Sequence, residues 1–231
     1  MARMRPWRLV ILLGVAALLQ GGWRLQAPRP EPVATPLAPP PSLAVMRLTT
    51  LNDPILAALL WGLWLQGFDQ QPGLWLPLRA IDPERLVAWL ERLLALDPHG
   101  DFPLDLALNL HAFVPDPARQ RRMLDFIHQA FLVDPTRRWP WLAQAASVAR
   151  HRLNDNHLAG YYLTMLDSHL EPEKIPFWVD GLHARILEEL GEPELARNRL
   201  AARLKRGGDT PSQQRAMRIG MERLRTVTGE K

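Results

Sequence analysis

The dipeptide Asp-Pro occurs at 53–54, 82–83, 97–98, 116–117 and 134–135, and it breaks the body of this chain into short segments. Proline fixes φ and lacks an amide hydrogen, so it cannot continue a helix, yet it suits the first helical position. An aspartate just before it can accept from the orphan amides of the first turn. Asp53, Asp82 and Asp116 each precede a run in which apolar residues recur at helical spacing, whereas Asp97-Pro98 and Asp134-Pro135 close such runs. Thr210-Pro211 opens the last run in the same way. No segment after residue 50 alternates with period two. The pattern predicts an all-α body with helices near 54–67, 83–96, 103–113, 117–132, 137–152, 155–169, 174–190, 193–206 and 211–226. Stripes such as Leu86, Trp89, Leu90, Leu93 and Leu94 must each be buried against a neighbour. The short connections predict antiparallel hairpins.

The amino terminus has a different character. Arg3, Arg5 and Arg8 precede an uncharged run from Leu9 to Trp23, bracketed by Trp7 and Trp23. Basic residues before an apolar segment orient it with the amino terminus in the cytoplasm, and tryptophans favour the interface. The end of the run, Gln20-Gly21-Gly22-Trp23-Arg24, has no small-x-small cleavage pattern. The reading is an uncleaved transmembrane anchor over 1–26. The chain has no cysteine, which removes a lipoprotein anchor, a zinc finger and a thiol nucleophile. Residues 27–41 then carry seven prolines in fifteen. A linker is therefore expected over 27–48, holding a helical domain, 49–231, up to roughly 45 Å from the membrane as an extended stalk.

The body shows weak internal repetition. Pro98 and Pro135 close similar runs 37 residues apart, and Ala159 and Ala196 follow similar turns at the same interval. Trp139, Leu142, Ala143 and Ala146 form one helical stripe, followed in the next helix by Ala159 and Leu163, and in a later pair by Gly191, Ala196 and Leu200. On these positions, and on Met123, Ile127, Ala130 and Pro135, the chain resembles the tetratricopeptide repeat family over residues 83–206. Helix 211–226 stands where a capping helix would. The 37-residue unit is longer than the family's, and Asn154 stands where a turn glycine is usual. The resemblance implies an α-solenoid of helical hairpins that binds other proteins.

Candidate binding residues follow from what those stripes leave over. The segment 55–65, ILAALLWGLWL, is apolar on every side and too short to span a bilayer. It reads either as a helix sandwiched in the array or as a partner-binding or membrane-surface helix carrying Trp61 and Trp64. In the stretch 131–146, Arg137, Arg138 and Trp141 fall off the stripe that contains Trp139, so they are candidates for a partner. Ten basic residues against three acids lie between Arg197 and Lys231, within a net charge of +4. Among them Arg199, Arg203, Lys205 and Arg206 are candidates for an anionic partner.

Little in the chain suggests chemistry. The seven histidines form no HExxH or His-x3-His pair, so a metal site lacks its usual spacing. Ser147 and His151 share a helix face near Asp155, but a serine in mid-helix lacks an oxyanion turn. Glu188 with Glu189, and Asp101 with Asp105, read as surface carboxylates. Neither an enzyme, a cofactor nor a nucleic-acid partner is expected. The expectation is a single-pass protein of a bacterial inner membrane, with its helical domain in the periplasm. It would act as a scaffold, assembly factor or accessory subunit for other proteins of a membrane complex, the alternatives being a permanently buried structural subunit or an envelope enzyme.

Overall fold

The computed structural model describes residues 6–26 and 32–228, with side chains described for 13–24 and 32–225. Its described residues are mainly helical, and the strands among them are the two-residue pieces Gln70–Gln71 and Leu74–Trp75. The chain divides into two compact units, Met1–Ala34 with Pro72–Leu74, and Thr35–Gln71 with Trp75–Lys231.

The first unit contains α1 (Pro6–Gln26), whose described side chains, Leu13 to Arg24, are all exposed. Arg3 and Arg5 lie outside the described residues, as do the side chains of Trp7, Arg8 and Leu9 to Leu12. Among the described residues no helix is long and apolar enough to cross a membrane.

The second unit is the helical domain. It comprises α2 (Leu43–Leu48), α3 (Pro54–Gln66), α4 (Pro83–Leu96), α5 (Phe102–Asp105), α6 (Pro117–Val133), α7 (Pro135–Arg152), α8 (Asn156–His169), α9 (Phe177–Glu189), α10 (Pro193–Arg206) and α11 (Pro211–Thr228). The Asp-Pro pairs do what their chemistry dictates. Asp53 accepts from the amides of Ile55 and Leu56, Asp82 from Arg85, and Asp116 from Ala118 and Arg119. Asp134 ends α6 and also caps α7, accepting from the amide of Arg137, with Pro135 as the first residue of α7. The hydroxyl of Thr136 also donates to Asp134. Pro140 falls in the second turn of α7.

Two further departures from the sequence reading concern the segment 103–113 and the expected linker. The helix expected over 103–113 is a single α turn, then a π turn at Leu106–Leu110 and a 3₁₀ turn at His111–Phe113. Helix α2 lies inside the expected linker. Its residue Met46 is fully buried, Leu37 joins the core, and the carbonyl of Ala38 accepts from the indole of Trp89 at 2.8 Å. Thr35 and Gln71 exchange two hydrogen bonds of 2.8 Å. Proline-rich chain from Thr35 onward is therefore part of the domain, and the stalk reading is confined to residues 27–34, of which 27–31 lie outside the described residues.

The helices pack in chain order, α3 on α4, α4 on α6, and then successive neighbours from α6 to α11. α7 also touches α9, and α9 touches α11. Ala143, Ala159 and Ala196 are fully buried where these helices approach, and Leu142 lies beside them in the core. Asn154 adopts φ of 52° in the turn after α7, and Gly191 adopts φ of 82° after α9. Asparagine tolerates the left-handed region better than most residues, so it can make a left-handed turn without glycine. Trp139, expected to be fully buried, is half-buried against the core. Pro98 is exposed and supplies a carbonyl to Arg138.

Candidate docking surface

Helix α3 contains no charged residue and has two apolar faces. At about 100° per residue, Ala57, Ala58, Trp61, Gly62 and Leu65 share one arc, and Ile55, Leu56, Leu59, Leu60 and Leu63 share the opposite one. The first arc faces the domain: Ala57, Gly62 and Leu65 are buried, and Ala58 and Trp61 pack on the core. The second arc is open to solvent. Ile55 is 65% exposed, and Leu56, Leu59, Leu60 and Leu63 are each about half exposed. α2 and the turn after it add Val45, Leu48 at 76% and Leu51 at 97%. One arc of segment 55–65 is therefore packed into the domain and the other is open to solvent.

Close packing fixes the inner face. Trp61 and Trp64 stack obliquely on Trp89, with ring centroids 5.6 and 4.9 Å away. Trp64 also meets Phe68, and the Trp61 indole donates to Thr49. These two tryptophans were expected to contact a partner; they chiefly bind α3 to its own domain, although Trp64 remains 44% exposed. At Gly62, a Cβ would come within 2.7 Å of the Phe102 ring, so only glycine lets α5 approach α3 this closely.

An apolar cavity of about 170 Å³ opens beside the outer face, lined by Ile55, Ala58, Leu59, Leu93, Phe102 and Pro103, with Asp97 and Gly100 at one side. Asp97 accepts from the amide of His99. Asp53 and Asp101, at the starts of α3 and α5, are exposed. Asp97 is therefore the one carboxylate that lines the cavity beside this uncharged helix, among the described residues.

The other expected binding residues are mostly engaged within the fold. Arg138 is buried, and its guanidinium donates to the carbonyls of Ala130 and Pro98, each at 2.8 Å. Neither carbonyl lies on its own helix, so a local stripe could not reveal this burial. Arg137 is exposed and pairs with Asp134. Trp141 is half-buried, packs on the core and donates to Asp101.

At the carboxyl end, Arg199 donates to both oxygens of Asp167 and also reaches Asp180, which Arg206 contacts as well. Arg203 pairs with Asp209 and donates to the carbonyl of Ile175. Asp180 is almost wholly buried among Arg199, Arg203 and Arg206. Burial would raise the Asp167 carboxyl, but the His183 ring nitrogen 3.3 Å away and the hydrogen bonds and charge of Arg199 bring it down to about 2. Three of the four cations expected to meet an anionic partner thus join α8, α9 and α10; Lys205 remains exposed.

The groups considered for chemistry are also committed to structure. Asp155 caps α8 and pairs with Arg121, so it does not orient His151. Glu189 holds Arg150 and Asn156, and Glu188 holds Arg223. Among the described residues no cluster of three His, Asp or Glu could hold a metal ion. No protein family, curated protein or solved structure matches this chain.

Proposed function

We propose that this chain is a membrane-tethered scaffold or assembly factor, anchored through its amino-terminal apolar segment, whose tetratricopeptide-like helical domain holds other proteins of an inner-membrane complex in the periplasm. The observation that carries the reading is the uncharged outer face of α3, a surface that water covers poorly and a partner covers well. The exposed apolar side chains of α1 from Leu13 to Trp23 support tethering, although no described helix meets the length and apolarity needed to span a bilayer. Hairpins in chain order with α7–α9 and α9–α11 contacts support the solenoid. Binding rather than catalysis is favoured because Asp155, Glu188, Glu189 and Asp101 are held in caps, ion pairs and an indole hydrogen bond.

Affinity purification of the full chain from native membranes in mild detergent, followed by mass spectrometry, tests the proposal. A reproducible set of membrane-complex proteins is expected, and it should be lost when Leu56, Leu59 and Leu63 are changed to Gln. Stoichiometric recovery would mark a permanent subunit and lower recovery an assembly factor. No protein partner in native membranes would overturn both. Deleting the whole segment is a poorer test, because it would also remove Ala57, Gly62 and Leu65 from the core.

A further inference from the structure

We infer that the occupant of the outer α3 face is an α-helix of a partner protein, aliphatic along one side and carrying a lysine or arginine next to that side. The inference rests on the scaffold reading above and specifies the chemistry of the partner.

Ile55, Leu59 and Leu63 are spaced by four residues and form one ridge, flanked by Leu56 and Leu60. Ridges of this spacing pack into the grooves of a second helix. Ile55 and Leu59 also edge the cavity of about 170 Å³ between α3, Leu93 and Phe102, which can receive an apolar side chain projecting from that helix. Charge selects among the possible occupants. α3 brings no cation, Asp97 lines the cavity, and Asp53 and Asp101 are exposed at adjoining helix starts. Surfaces that seat on a bilayer surround their apolar face with several Lys and Arg, whereas α2 brings the single, half-buried Arg47 and an acid lines the cavity. A second copy of the face would bring the same acids together across a twofold axis. A basic residue beside the aliphatic side of a foreign helix instead meets Asp97, whose carboxylate accepts only one described backbone amide and can accept more.

The test uses the full chain in nanodiscs of neutral phosphatidylcholine. The probes are two fluorescent synthetic helical peptides with the same leucine stripe, one bearing lysine and the other glutamate beside it. Because the chain has no cysteine, Leu59→Cys supplies a single thiol whose labelling by a water-soluble maleimide reports cover at the face. The lysine peptide should bind about tenfold tighter than the glutamate peptide and protect that thiol. Asp97→Asn should bring the two affinities together, and Leu59→Gln should abolish both while leaving the far-ultraviolet spectrum unchanged. Equal affinities, or binding indifferent to Leu59→Gln, would overturn the inference. Lipid-borne quenching at the thiol before peptide is added would assign the face to the bilayer, and protection that rises with copies per disc would assign it to a second copy; either overturns it. If neither peptide binds and the thiol stays open, the helical occupant falls, while the scaffold reading stands or falls on its own purification test.

Discussion

Arg119 and Arg138 sit inside the domain with their guanidinium groups on backbone carbonyls, those of Arg79 and Ile81 for the first and of Ala130 and Pro98 for the second. Each closes a gap between segments about 40 positions apart, which is why a pattern read along one helix assigned Arg138 to the surface. Arg138→Ala should cost about 2–3 kcal/mol in urea unfolding, because one buried and one partly buried carbonyl lose their donor. The helical phase placed Trp139 inward and Trp141 outward, yet both are half-buried and packed on the core. Trp139→Ala and Trp141→Ala should therefore cost similar amounts, about 2–3 kcal/mol each, below the range for a fully buried tryptophan. A difference above about 2 kcal/mol between them would contradict this packing. His111 is buried beside Arg119, and burial followed by that charge lowers its pKa from 6.5 to about 4. The unfolded chain therefore binds this proton first as pH falls. Stability from neutral His111 is complete above about pH 6.5 and is lost towards pH 4, on the order of 3 kcal/mol. A flat stability profile over that window in wild-type protein would exclude it.

Element boundaries were legible in the sequence because aspartate caps and proline stops are local chemistry, and Asp53, Asp82 and Asp116 each cap the expected helix. Helix α2 was not legible, since six residues among prolines carry no period of their own and are held by Met46 in a distant core. For α3, the absence of any amphipathic period was itself the signal of two apolar faces, but the sequence could not say which residues faced outward. The structure separates the two sets, and mutation can too. Leu56, Leu59 and Leu63→Gln together should leave the melting temperature almost unchanged. Gly62→Val should lower stability by about 1–3 kcal/mol, because its Cβ meets the Phe102 ring. The arginines of the charged cluster between α8, α9 and α10 were likewise read as open to an anionic partner, since its acids, Asp167 and Asp180, precede its arginines by some 20 to 40 residues. Asp167 is depressed in the folded state, so its contribution is present above the ordinary value of 3.8 and is lost as pH falls towards 2. Asp167→Asn should destabilise by about 1–2 kcal/mol at pH 7, with the difference from wild type shrinking below pH 4.

At the scale of the molecule, the composition and punctuation were sufficient for an all-α domain, and the fold extends that domain back to Thr35 by seating Leu37 and Met46 in its core. The proposed role of the domain rests on the apolar outer face of α3. The central claim is that a partner protein covers the outer face of α3 in the membrane where the chain works. The most direct measurement is maleimide labelling of Leu59→Cys in the full chain, first in native membranes and then in purified form in neutral nanodiscs, with Glu171→Cys as an exposed reference. The account predicts a thiol protected in native membranes and open after purification, while the reference labels equally in both. Equal and rapid labelling of Leu59→Cys in both settings would contradict it.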